Sequence, residues 1–331
     1  MWKTAGCAVQ GRGHKRQGIP CQDAVAFAHA GAVHASVLAD GAGSAARAED
    51  GAACVTATAA AWLCANFDEI VAETDGRHVK EALLDTLRAA LRTRAEELGC
   101  DVQDLASTFL AAAANGTQFF LAHIGDGVIG YLKGDDLRVA SAPDNGEFAN
   151  ATTFVTSPDA LARMRIYRGE LADIAGFLLL SDGSEQSFYQ KQQKILAPRL
   201  AYVLQEALLL DVDAFDARLA YTMTSVIIHQ TQDDCSLALL VRRAGALQAL
   251  EDLPARQRME AYGIAPGRSA KRRLRLHDRL YTRLTVPHTA REIARIGCWH
   301  HGAKKKLARL IATGLLTKCG NTYVRACLPI Q

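Results

Sequence analysis

Five aspartates recur in similar surroundings along the chain: Asp23 in IPCQDAV, Asp40 in SVLADGAGS, Asp126 in LAHIGDGVIG, Asp182 in FLLLSDGSEQ and Asp233 in QDDCSLALL. Each reads as an apolar strand running into Asp, usually with Gly next. One such Asp is an ordinary turn former, because its side chain caps its own backbone and Gly supplies a positive φ. Repeated at several strand ends, the pattern suggests carboxylates converging on one rim of a sheet, where their repulsion calls for a cation. Mg²⁺ and Mn²⁺ suit it, since hard divalent ions prefer oxygen ligands and no clustered His or Cys competes. On the residues alone, the turn reading and the cation reading stay level.

The elements that must carry these residues can be read from pattern. Apolar runs over Ala32–Leu38, Ser107–Ala114, Thr117–Ile124, Gly176–Ser181 and Ser236–Val241 predict strands. Val79, Leu83, Leu87, Leu91 and Leu98 recur with helical spacing, a second helix follows Ala45, and others cover Ala197–Leu209 and Ala214–Gln230. Asn115-Gly116 between two strands is a hairpin signal, so pairing is antiparallel. Helices adjacent in sequence, instead of alternating with single strands, exclude a doubly wound sheet and predict an α+β fold of antiparallel sheets covered by helices.

The ordered set is more specific than its pieces. Gln22-Asp23, Asp40-Gly-x-Gly43, Gly125-Asp-Gly127, Ser181-Asp-Gly183 and Asp233-Asp-x-Ser236 before a strand resemble the PP2C family of metal-dependent protein serine/threonine phosphatases, over roughly residues 5 to 243. The resemblance implies a β-sandwich of antiparallel sheets flanked by helices. It also implies two Mn²⁺ or Mg²⁺ ions. Asp40 would bridge them, the Gly41 carbonyl would reach one through water, and Asp182 and Asp233 would complete the pair. Asp23 would hold one ion through water, and Asp126 would help with a third, weaker one. The implied chemistry is phosphoester hydrolysis by a metal-activated water, without a covalent phosphoenzyme. The implied partners are a phosphoprotein substrate and an opposing bacterial-type Ser/Thr kinase.

The chain also departs from the pattern. Gly18 stands where many relatives place a phosphate-gripping Arg, and Ala42 where some place a proton-donating His. Arg16, with Lys15, is the nearest cationic substitute, and His14 the nearest general acid; a solvated basic turn and a structural His are the plain alternatives. Ser44 after Asp-Gly-x-Gly resembles a bacterial subgroup. A phosphoprotein- or DNA-binding regulator with little catalysis is the rival reading.

Charge divides the chain. Lys plus Arg against Asp plus Glu count 21 to 30 before residue 245 and 17 to 5 after it, net −9 and +12. Two domains follow, residues 1–245 and 246–331. In the second, Ala255–Arg283 reads as one basic helical stretch. Thr289 with Glu292 forms a capping box opening a helix that ends at Gly297, and Lys304–Thr313 reads as a further helix before a hairpin with a turn at Gly320-Asn321. This order resembles a winged helix, small and mainly α. Lys304, Lys305 and Lys306 would face phosphates if nucleic acid were the ligand, whereas a protein or the acidic domain are the other candidates. Cys298, His300, His301, Cys319 and Cys327 match no familiar zinc spacing. With 49% hydrophobic residues, nine scattered cysteines, no spanning segment and no secretory signal, the chain reads as an ordinary globular, cytoplasmic protein with reduced thiols, away from membranes.

Overall fold

The structure, a computed structural model, describes residues 2–134, 136–144, 152–209, 212–242, 255–261, 264–267, 269–284, 288–297, 299, 302–312, 316–319 and 322–325. It divides into two compact units, Met1–Leu204 with Leu219–Arg242, and Gln205–Arg218 with Arg243–Gln331.

The first unit opens with β1 (Trp2–Val9), α1 (Arg12–Gln17), β2 (Asp23–Ala30) and β3 (Val33–Asp40), followed by the long helices α2 (Ala48–Ala72) and α3 (Gly76–Leu98). Next come β4 (Phe109–Ala114), β5 (Gln118–Ile124), β6 (Val128–Lys133), β7 (Asp136–Ser141), α4 (Ala160–Arg163), β8 (Arg165–Glu170), β9 (Ile174–Leu180) and α5 (Asp182–Phe188). A small hairpin of β10 (Tyr189–Gln190) and β11 (Ile195–Leu196) leads to α6 (Arg199–Leu209) and α7 (Val212–Ser225), of which Gln205–Arg218 is grouped with the second unit, and then to β12 (Cys235–Arg242). Two five-stranded antiparallel sheets result, ordered β1-β12-β9-β6-β7 and β2-β3-β4-β5-β8.

Alternation along the strands builds two cores. Leu38, Leu110 and Leu121 point between the sheets, where they join Ile129, Phe177, Leu179 and Leu240. Val37, Ala39, Ala111 and Ala122 point the other way, onto Leu63 and Phe67 of α2 and Leu84, Leu87 and Leu91 of α3. The helix α3 runs between its Asp75 N-cap, whose side chain accepts from the Arg77 N–H, and the left-handed Gly99. At the hairpin, the Asn115 side chain accepts from the backbone N–H groups of Thr117 and Gln118.

The expected α+β sandwich stands, with several corrections. β1, β2, β6, β7 and β8 are strands that pattern missed, because Ala, Gly and charged residues interrupt their apolar runs. The strand expected from Ser107 starts at Phe109. The helix expected over Ala214–Gln230 stops at Ser225, followed by a 3₁₀ turn at Ile227–Gln230.

In the second unit, the basic stretch is two helices, Ala255–Ala261 and Ala270–Arg283, interrupted around Pro266-Gly267, where Gly267 has φ +155°. The Thr289–Glu292 capping box opens a helix over Ala290–Ile296, and a further helix covers Ala303–Ala312. His288–Thr289, Leu316–Cys319 and Thr322–Arg325 form a three-stranded antiparallel sheet. Leu274, Leu280, Leu284, Ile293, Trp299, Leu307 and Leu310 make the core of this unit. Cys298, His300, His301, Gly320, Asn321 and Cys327 lie outside the described residues. Among the described residues, no helix is long and apolar enough to cross a membrane.

Candidate metal centre

Antiparallel pairing decides where the aspartates go. Asp40 closes β3 and Asp23 opens β2, and the two are direct cross-strand partners. Asp126 stands in the crossover from β5 to β6, after Gly125 with φ +110°, a left-handed bend that Gly adopts freely. Asp182 begins α5 immediately after β9 and Ser181, and Asp233 precedes β12. Asp23 and Asp233 therefore stand before strands, a correction to the expectation that every one of the five ends a strand. The rim is nevertheless shared, because the start of one antiparallel strand lies beside the end of its neighbour: Phe109 faces Ile124, and Leu237 faces Leu180.

Backbone contacts fix this rim. The Gly41 N–H donates to the Gln22 carbonyl (3.1 Å), the Thr108 N–H to the Asp40 carbonyl (2.8 Å), and the Asp40 N–H to Thr108 Oγ1 (2.9 Å). Gly41 is itself confined, since a Cβ there would lie 2.7 Å from the Ala48 carbonyl oxygen. The Thr152 hydroxyl donates to Asp126 Oδ2 (2.6 Å).

The carboxyls respond to one another as a cluster. Burial raises the pKa of Asp40 well above the ordinary carboxylate range, reinforced by the charges of Asp23, Asp182 and Asp126. Asp182 is raised by burial and by Asp126 and Asp233, against a favourable hydrogen bond with Asp40. Asp23 is pushed up to about 7, first by burial and then by Asp234; the nearby Ser236 and Ser181 hydroxyls oppose the shift. Both carboxylate oxygens of Asp23 and Oδ1 of Asp182 are nevertheless buried without a hydrogen-bond partner. Unpartnered buried oxygens among repelling carboxyls are what a hard cation stabilises, so the donor set fits Mg²⁺ or Mn²⁺. Among the described residues, no three His, Cys, Asp or Glu side chains are drawn together as a finished cage.

Asp234 is the important residue that sequence reading passed over. Only 2% exposed, it accepts the Gly11 N–H on Oδ1 and the Gln22 N–H on Oδ2, each at 2.5 Å, and its Oδ1 lies 3.0 Å from His14 Nδ1. It thus ties α1 and the approach to Asp23 onto the start of β12. Gly183 permits this closeness, because a Cβ there would sit 1.9 Å from the Asp234 carbonyl oxygen. The second Asp of Asp233-Asp234 was the available signal, but its role depends on partners more than 200 residues away.

His14 is mostly buried beside Asp234 and is not a free surface imidazole. Arg16 is exposed and donates to the Gln232 side chain, one residue before Asp233. Ala42 is buried, with its N–H on the Ala106 carbonyl (2.9 Å). A second missed group is Glu185, one turn beyond Asp182, buried and 2.7 Å from the ammonium of the exposed Lys191. The Lys191 pKa is raised by Glu185 and, more weakly, by Asp182 and Asp126, which places this cation within electrostatic reach of the cluster. Lys304, Lys305 and Lys306 belong to the second unit and are exposed, Lys306 with Nζ 5.7 Å from the Trp299 ring centre.

Comparison with known proteins agrees with this geometry. The family model described as protein phosphatase 2C matches residues 10–219. A serine/threonine-protein phosphatase 3 from Escherichia coli (strain K12) is 29% identical over 183 residues, 53% of this chain and 72% of that protein. A crystal structure of a bacterial serine phosphatase superposes with a TM-score of 0.51 at 13% identity, covering 73% of this chain and 98% of that one. A bacterial serine phosphatase bearing a single arginine-to-lysine substitution gives 0.51 at 12% identity, with the same coverage. At such identities the superpositions establish the fold alone. With nearly two thirds of its length matched by the family model and carboxylates gathered at the shared rim, the chain belongs to the protein phosphatase 2C family, whose phosphatases are metal-dependent.

Proposed function

We propose that the first domain, taken as residues 1–245, removes phosphate from serine and threonine side chains of phosphoproteins, opposing a cognate Ser/Thr kinase. The observation that carries this reading is the buried cluster itself: Asp23 and Asp40 are direct cross-strand partners, both oxygens of Asp23 and Oδ1 of Asp182 are buried without a hydrogen-bond partner, and Asp40 is raised by burial and by the charges of Asp23, Asp182 and Asp126. Asp40, Asp182, Asp233 and Asp23, with the Gly41 carbonyl, are the groups for two Mn²⁺ or Mg²⁺ ions, and Asp126 for a third. When bound, such ions activate a water for in-line attack and offset the charge on phosphate.

The protein's own groups then hold and protonate the substrate. His14, with Nδ1 3.0 Å from Asp234 Oδ1, is the proton donor to the leaving alkoxide, in place of a residue at the buried Ala42 position. Arg16, steadied by Gln232, and Lys191, steadied by Glu185, are the cations for the substrate phosphate in a chain with Gly18 where an Arg is usual. The second domain, residues 246–331, is read as a winged-helix-like partner module, with exposed Lys304, Lys305 and Lys306 as its contacts. The test is release of phosphate from a phosphoserine protein and from an aryl phosphate, with Mn²⁺, with Mg²⁺ and after chelation. Metal-stimulated turnover of both is expected. A folded, Mn²⁺-loaded chain with no turnover on either substrate would leave the non-catalytic regulator as the better reading.

A further inference from the structure

The second unit arranges its charge in a line. Helix Ala270–Arg283 buries Ala270, Leu274 and Leu280, while Arg272, Arg275, Arg279 and Arg283 are exposed. At about 100° per residue, these four fall within roughly 80° of the helix circumference, along about 16 Å of its axis. The arrangement opposes the helix that carries it: Arg272–Arg275, Arg275–Arg279 and Arg279–Arg283 are like-charged neighbours three or four residues apart, a spacing that destabilises helices. The acid on this helix, Asp278, is half-buried and reaches Arg258 at 3.4 Å.

Solubility alone would not select such a face, since mixed charges of either kind serve it. All four positions carry arginine, whose planar fork grips phosphate through two parallel bonds and sheds water more readily than an ammonium. We propose that this arginine stripe docks the phosphodiester backbone of a nucleic acid. Backbone phosphates of one duplex strand recur about every 3.4 Å along the axis, so the stripe spans about five of them. A row of closely spaced anions along the stripe offsets the repulsion within the helix. The carboxylates of an acidic protein do not form so dense and continuous a row. Contacts of this kind position a nucleic acid without reading its sequence. The inference does not depend on the phosphatase reading.

The experiment titrates the full chain against a labelled 20-base-pair DNA duplex, a single-stranded RNA of equal length and polyglutamate, at several salt concentrations. Comparison is with the R272Q/R275Q/R279Q/R283Q variant and, separately, K304Q/K305Q/K306Q. Wild type should bind DNA or RNA with affinity falling steeply as salt rises. Four phosphate contacts correspond to about 150-fold weakening between 50 and 200 mM salt on a duplex, at a slope near 0.9 per contact. The arginine variant should lose most of that slope while retaining its circular dichroism and melting no lower than wild type. A preference for duplex or for single strand identifies the geometry of the backbone taken, and either supports the proposal. It is overturned if wild type binds neither nucleic acid at 50 mM salt, if polyglutamate binds as tightly, or if the arginine variant keeps wild-type affinity and slope.

Discussion

Like charges are concentrated twice in this chain, and the two regions hold them in opposite ways. The aspartate rim of the first unit buries its carboxyls, where low polarity magnifies repulsion and raises the pKa values of Asp23, Asp40 and Asp182. The arginine stripe of the second leaves its charges in water, where the same repulsion is weak and screened by salt. Burial therefore makes the rim depend on an ion of suitable charge and reach, whereas exposure lets the stripe tolerate any salt solution. A centre for chemistry needs the first arrangement. A surface for docking needs the second.

The contrast is sharpened most by Asp40→Asn. Activity should fall by on the order of 10²–10³-fold or more, while the chelated protein should melt at a higher temperature, because one repelling buried carboxyl is gone. Steady-state kinetics and a thermal melt on one preparation test both halves; a melt lowered without metal would break the comparison.

Removal of metal from wild type is next in size. The folded pKa of Asp23, about 7, lies above its unfolded value near 3.9, so the folded metal-free chain holds a proton that the unfolded chain gives up. This contribution is fully present below about pH 4 and is lost as pH rises through 7. Chelation should therefore lower the melting temperature more at pH 8 than at pH 6, a gap that Mn²⁺ abolishes.

Lys191→Met should raise KM for phosphoprotein several-fold and, by stranding buried Glu185, lower stability. Glu185 is already raised by burial, with Lys191 opposing the shift; without Lys191 the loss should be milder at pH 5 than at pH 8. Lys191→Arg should restore KM. The smallest effect is on the other side of the comparison. Replacing the four stripe arginines by Gln should stabilise the second unit by up to about 1 kcal/mol at low salt, and by almost nothing at high salt. Differential scanning calorimetry at the two salt concentrations measures it.

The strands and turns that deliver the rim were partly legible. Asn115-Gly116 marked a hairpin, the leucine spacing marked α3, and the family resemblance pointed to aspartates that the fold brings to one rim. What stayed hidden has a physical cause. β2, DAVAFAHA, has Val25 as its one β-branched residue and packs Ala24, Ala26 and Ala28 toward the core beneath the alanine-rich α2, so its composition looks helical. Asp234 and Lys191 act through partners that only the tertiary fold supplies. The break at Gly267 was written as Pro266-Gly267, yet dense basic charge on both sides concealed it.

The place of β12 in its sheet has a consequence for biosynthesis. It lies between β1 and β9, and Asp233 and Asp234 stand at its entrance, so the earliest strand of the chain waits for nearly the last of its unit. A nascent chain still threaded through the ribosome at residue 230 would have neither the latch on Gly11 and Gln22 nor a complete set of acids. Every shorter piece of the chain that stops before β12 therefore lacks both the latch and part of the acid cluster, so the rim cannot be completed until this strand is present.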